Sequence, residues 1–236
     1  MKRSSETSKD IAKKMLEKLV GPELAVQALD PGREASVRAA AAAAREEMVP
    51  LIRDLARSGW KVESLDDLRR SGLQYDSAIP VILKWLPRLR LPTNKESAVR
   101  TLSVPWAGEE TLATFVSLFR ELLPEESLLK WAVGNGIEVL ACDRFFADLA
   151  SLVTDRSHGR AREMVVLALG KIKSDSAERL LIEMLDDDDV CGHAVIALGK
   201  LRSRAAEGKI RTLLNHPRAW IRREARKAID RIQYGR

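Results

Sequence analysis

The sequence predicts an all-α protein, an α-solenoid of stacked antiparallel helix pairs, and three observations carry that prediction. Apolar residues recur at a spacing near 3.6 almost throughout, and the alternation of half-buried strands is missing. Short amphipathic stretches are separated by Gly, Pro, Asp or Asn. The run Leu167-Ala168-Leu169-Gly170-Lys171-Ile172 recurs 29 residues later as Ile196-Ala197-Leu198-Gly199-Lys200-Leu201. A period of that length, with one helical hairpin per period, belongs to repeats that bury their apolar faces only by stacking.

In chain order, residues 6–20 place Ile11, Met15, Leu16 and Leu19 on one helical face, and Gly21-Pro22 stops them. Pro31-Gly32 breaks the chain again before 34–58, which holds six consecutive alanines, Ala39 to Ala44, the best helix former. Pro50 is expected to kink or split that helix. Helices are then predicted at 64–71, 76–90, 94–103, 107–122, 125–141, 143–154, 159–172, 175–186, 189–201, 204–215 and 219–233. Asp76, Ser77 and Asn94 suit N-cap positions, and Ser174-Asp175 suits another helix start. All are too short to be stable alone in water, so each depends on its neighbours.

A weaker copy of the repeat, Ala228-Ile229-Asp230-Arg231-Ile232, lies 31 residues beyond the second, and upstream copies lie at Ala132-Val133-Gly134-Asn135 and Ala98-Val99-Arg100-Thr101. The small residues imply close approach of a second helix in the hairpin, backbone to backbone. The turn Asp186-Asp187-Asp188-Asp189 precedes a helix, where carboxylates favour the positive end of the macrodipole; it reads as a solvated turn.

At 236 residues, 45% hydrophobic and 31% charged, the composition is globular and excludes collagen-like and disordered classes. Cys142 and Cys191 are too few for a disulfide framework or a four-cysteine zinc site and read as small buried hydrophobes. No apolar run approaches a membrane span, and the first residues are charged. Free thiols without a secretory leader predict a cytoplasmic, monomeric protein.

The pattern of acidic or Pro turn, Val/Ile-Arg-x-x-Ala, Ala-Leu-Gly-Lys and a second Leu-rich helix resembles HEAT repeats, in the short bacterial form also seen in phycobilisome-lyase-like repeats. The resemblance runs from about residue 94 to the end, with leader-like stretches at 55–68 and 75–83 and a similar turn at 154–160. It implies a stack of helix pairs used for binding, with 1–62 as a helical N-terminal cap continuous with the repeats at 63–236. It implies no chemistry and no cofactor. HEAT-like deoxyhypusine hydroxylases carry four metal-binding His-Glu motifs; here His158, His193 and His216 are isolated, so no metal site is expected and each reads as a turn or surface residue. There is no P-loop, G-x-G-x-x-G or G-x-S-x-G, and Gly134-Asn135-Gly136 lies inside a helical pattern.

The expected function is therefore non-enzymatic: a scaffold or adaptor that holds another protein on a concave wall lined by the second helices of each pair. Arg144, Asp148, Glu178, Arg179 and Glu183 lie outside the Leu/Phe face of those helices and are the predicted contacts, followed by Trp131, Asn135 and His158. A second reading comes from charge. Residues 200–236 carry twelve cations against three carboxylates, net +9, while the whole chain is only +6. Arg218, Arg222, Arg223, Arg226 and Lys227 are then candidates for nucleic-acid binding, as the likeness to HEAT-like alkylpurine DNA glycosylases would allow, or else an intramolecular ladder and end cap. Activity like that of the phycobilin lyases is a third reading, which no residue demands.

Overall fold

The computed structural model describes residues 31–235, all-helical and without a strand among them. The amphipathic stretch expected at 6–20 lies outside the described residues. The chain divides into two compact units, Met1–Pro50 and Leu51–Arg236. In the first, the described residues form the opening turns of helix α1 (Pro31–Arg57). The alanines 39–43 are exposed there, and Arg38 pairs with Glu34 one turn away. Pro50 neither ends nor splits α1. Its ring removes a single backbone donor, and helix-forming residues on both sides carry the helix through.

The second unit begins with Leu51 and Leu55, both fully buried. It continues through α2 (Leu65–Arg70), α3 (Ile79–Trp85), α4 (Pro92–Leu102), α5 (Gly108–Glu121) and α6 (Ser127–Leu140). Then come α7 (Phe146–Thr154), α8 (Glu163–Leu169), α9 (Asp175–Glu183), α10 (Cys191–Leu201), α11 (Glu207–Thr212) and α12 (Ala219–Tyr234). Single 3-10 turns prolong several of these, as at Asp76–Ala78, Leu86–Arg88 and Met184–Asp186. No described helix is long and apolar enough to cross a membrane.

The helices form two rows. The even-numbered ones pack in succession, α2 on α4, α4 on α6, α6 on α8, α8 on α10 and α10 on α12, while each odd helix from α3 packs against the even helix that follows it. Small residues set the spacing of the even row. A Cβ on Gly170 would lie 2.8 Å from Ala197 Cβ, and one on Gly199 would lie 2.8 Å from Ala228 Cβ. The Ala-Leu-Gly motif therefore admits the corresponding helix of the next pair, not the second helix of its own hairpin. A helix needs bare faces where another helix crosses it backbone to backbone, and that crossing lies along the row.

Local chemistry explains most boundaries. Ser174 caps α9 by accepting from the Ala177 amide (3.2 Å), and Ser64 with Asp67 forms a capping box on α2. Asn94 is not a cap: Pro92 opens α4 two residues earlier, and Asn94 is buried inside the helix. Asp76 and Ser77 lie within a 3-10 turn without a side-chain cap, and Ser77 Oγ accepts from Trp60 Nε1 (2.8 Å). The helix expected from 159 starts at Glu163, because Gly159 at φ 51° interrupts the turn Arg156–Arg162.

Candidate functional site

Two adjoining concave surfaces lie on the even row. Two clefts of about 550 and 280 Å³ share Arg69, Arg100 and Ser103; the first continues to Tyr75 and Trp106, the second to Ala132 and Asn135. Arg69 on α2 reaches across to α4, donating to Ser97 O and Thr101 Oγ1 (both 3.0 Å), while Asp66 neutralises it at 2.7 Å. Arg100 is likewise paired with Glu96 at 2.7 Å. Tyr75 is buried, donates to Thr101 O (2.9 Å) and meets Trp106 edge-on at 5.8 Å. Its burial pushes the phenol pKa up.

Exposed apolar side chains border these clefts. Leu73 is 60% exposed and Trp106 38%. Trp131, 44% exposed, stands one turn before Asn135 on α6, with Leu128 exposed one turn earlier still. Asn135 is satisfied within its own helix, donating to Trp131 O at 2.9 Å. Of the predicted contacts, Asn135 lines the smaller cleft and Trp131 stands one turn before it on α6, while Trp106 and Leu73 line the larger cleft; sequence alone did not single out Leu73.

The predicted contacts on the odd row are dispersed. Arg144 pairs with Glu109 (2.9 Å) and Asp148 with Arg120 (2.8 Å), so both tie the α7 segment to α5. On α9, Glu178 is half-buried in a small cleft beside Leu201, Arg179 donates to Ser176 Oγ at 3.2 Å, and Glu183 is exposed. A groove of about 540 Å³ between α3 and α5, lined by Leu83, Leu86, Pro87 and Leu118, also lies on this row.

His158 is a packed residue and not a surface one: its side chain is 10% exposed and its ring stands edge-on to Phe119 at 5.1 Å. Burial first, then the nearby Lys130 charge, lowers its pKa, with Asp155 opposing. His158 does lie in the turn Arg156–Arg162, whereas His193 is not a turn residue. It lies on α10 against the Trp220 ring at 5.6 Å, with Nδ1 buried and without a hydrogen-bond partner. Cys142 sits half-buried in a turn, whereas Cys191 is 1% exposed in the first turn of α10.

The tetra-aspartate turn is only partly solvated. Asp187 is buried and takes the guanidinium of Arg162, itself 1% exposed, at 2.9 Å. Arg162 also donates to Val153 O and Gly159 O (both 2.9 Å), so one side chain joins the end of α7, the α8 turn and the α10 turn. Burial alone would raise the Asp187 carboxyl, but the Arg162 hydrogen bond, the Asp189 amide and the adjacent cations outweigh it and leave the pKa lowered.

Among the basic candidates, Arg218 donates to Asp188 O (2.8 Å), and Arg222 donates to the carbonyls of His216 (2.7 Å) and Pro217 (2.8 Å). Lys227 pairs with Glu224 at 2.7 Å. Arg223 and Arg226 are exposed and have no acidic partner among the described residues. No protein-family model matches the chain, and a search of curated proteins finds no match.

Proposed function

We propose that the protein is a non-enzymatic scaffold of the α-solenoid type, with HEAT-like helix pairs, and that it binds an extended segment of another protein across the even-row clefts between Trp106 and Trp131. The two rows and the backbone-distance approaches at Gly170 and Gly199 support the solenoid reading. The observation that carries the binding reading is a pair of adjoining clefts lined by the exposed Trp106 and Leu73 and by guanidinium, hydroxyl and amide groups, with the exposed Trp131 one helical turn before the cleft residue Asn135. Indole and guanidinium groups around a cleft are the composition in which binding energy concentrates. Because Asp66 and Glu96 already neutralise Arg69 and Arg100, the cleft suits a segment of mixed or no charge in preference to a phosphate backbone. Arg144 and Asp148 take second place, since their charges hold α5 and α7 together. A nucleic-acid reading rests on the exposed Arg223 and Arg226.

The test is affinity capture from extract of the native cell with wild type and three variants: Trp106→Ser/Trp131→Ser, Glu178→Lys/Arg179→Glu, and Arg222→Glu/Arg223→Glu. A protein held by wild type and by the arginine variant, but lost from the tryptophan variant, supports the proposal. Loss only from the Glu178/Arg179 variant moves the site to the odd row. Loss only from the arginine variant, with salt-sensitive binding of labelled duplex, replaces the scaffold reading by the nucleic-acid one.

A further inference from the structure

The four aspartates of the α10 turn have different fates. Asp186 takes Lys209 at 2.5 Å, Asp187 takes Arg162 at 2.9 Å and Arg156 at 3.6 Å, and Asp189 has Arg162 at 3.6 Å. The exposed carboxylate of Asp188 has no cationic partner among the described residues; the bond from Arg218 goes to its backbone carbonyl. What this carboxylate meets is the thiol of Cys191 and the imidazole of His216, and one donor atom from each of the three lies within 4.8 Å of the others.

The repeat register explains why a charge is left over here. Cys191 stands eight residues before Gly199, as Arg162 stands eight before Gly170 and Arg222 eight before Asp230. In the two flanking repeats this position sends a guanidinium into the turn, where it satisfies carbonyls and, for Arg162, a buried carboxylate. In the middle repeat a thiol replaces it and brings no positive charge.

We propose that a borderline-soft divalent cation of the zinc class binds in that place, held by Asp188, Cys191 and His216 with water in the fourth position, and that it joins the α10 turn to the α12 turn. A mixed sulfur, nitrogen and oxygen set selects such an ion over calcium or magnesium, which require oxygen ligands. Tetrahedral bonds of about 2.0–2.3 Å set donor atoms ~3.3–3.7 Å apart, so closure needs side-chain movements of about 1 Å. The exposed Asp188 side chain can make them freely, and the half-buried turn residue His216 makes them by giving up one hydrogen bond. Coordination releases the Cys191 proton to solvent as the sulfur–metal bond forms. It also releases the hydrogen bond that the Arg218 amide makes to His216 Nδ1 (3.1 Å), because either imidazole nitrogen can ligate only with that bond broken.

The experiment is titration of the chelator-stripped full-length chain with Co(II), read by absorbance, followed by displacement with Zn(II). The expected result is a thiolate-to-cobalt charge-transfer band that saturates at one equivalent and disappears when zinc is added. Cys142→Ala keeps the band and Cys191→Ala loses it. Asp188→Asn, at an exposed position, and His216→Gln, at a half-buried turn position, with folding of both checked by circular dichroism, each weaken cobalt binding about tenfold or more. The proposal is overturned if excess cobalt gives no band, if the band survives Cys191→Ala, or if neither Asp188→Asn nor His216→Gln changes the affinity.

Discussion

Truncating Asp187 to alanine isolates a guanidinium that is 1% exposed, and the size of the effect follows from that burial. At 2.9 Å the attraction between Arg162 and Asp187 is about 6 kcal/mol for an effective dielectric of ~20, against which both groups gave up their hydration on folding. The intact pair is therefore worth much less than its Coulomb energy. Removal of one partner is another matter: the other charge stays buried, at about 3–5 kcal/mol. The carbonyls of Val153 and Gly159 soften the loss but do not neutralise Arg162, and Asp189 is 3.6 Å away and nearly half exposed. With a urea slope of ~2–3 kcal/mol/M, Asp187→Ala lowers the unfolding midpoint by about 1–2 M. The assay is urea unfolding by circular dichroism with chelator present, so that metal at Cys191 does not contribute, together with amide exchange resolved over α8 and α10. Arg162→Met/Asp187→Leu removes both charges and recovers more than half of the loss. An Asp187→Ala penalty below ~1 kcal/mol, or a double variant no more stable than the single, would refute the idea that this pair fastens three segments through a buried charge.

The remaining predictions use other contacts. Gly199→Ala gains up to about 1 kcal/mol of helix propensity, yet it destabilises by ~1–3 kcal/mol because the new methyl meets Ala228 Cβ at 2.8 Å and Cα at 2.9 Å; Gly199→Ala/Ala228→Gly removes the Cβ contact but keeps the backbone one and so recovers only part of the loss in the same urea assay, and a neutral Gly199→Ala contradicts the close approach of α10 to α12. His158 is held below its usual 6.5 by burial and by Lys130, Arg162 and Arg120 against Asp155. The unfolded chain therefore takes up a proton that the folded chain resists, and stability falls as the pH drops through about 6.5 and levels off below the folded pKa. His158→Phe reduces that slope in the thermal-stability profile, the remainder belonging to His193, whose pKa burial also lowers, and an unchanged profile would show that His158 titrates alike in both states. Trp85→Phe removes the indole bond to Asp54 Oδ2 (3.0 Å) and costs about 1 kcal/mol, non-additively with Asp54→Ala.

Helix positions were legible because their causes are local. Apolar spacing, Ser174 as a cap and the Gly, Pro and Asp punctuation act within a few residues, and the described helices follow them closely. The exceptions have local reasons too. Pro50 costs one hydrogen bond in a long run of good helix formers, and Pro92 starts α4 before Asn94.

The sequence by itself determined an all-helical chain, its period of about thirty residues and the small residues that mark helix crossings. Only the tertiary structure decided which helix each crossing admits. Gly170 and Gly199 look alike whether they face the second helix of their own hairpin or the next helix of the row, and stacking selected the row. The same holds for Asp186 to Asp189, four identical residues that face Lys209, Arg162, a thiol with an imidazole, and Arg162 again. Those partners lie 3 to 28 residues away in sequence, and for an aspartate the difference between solvated turn, buried ion pair and metal ligand is the identity of the neighbour that folding brings to it.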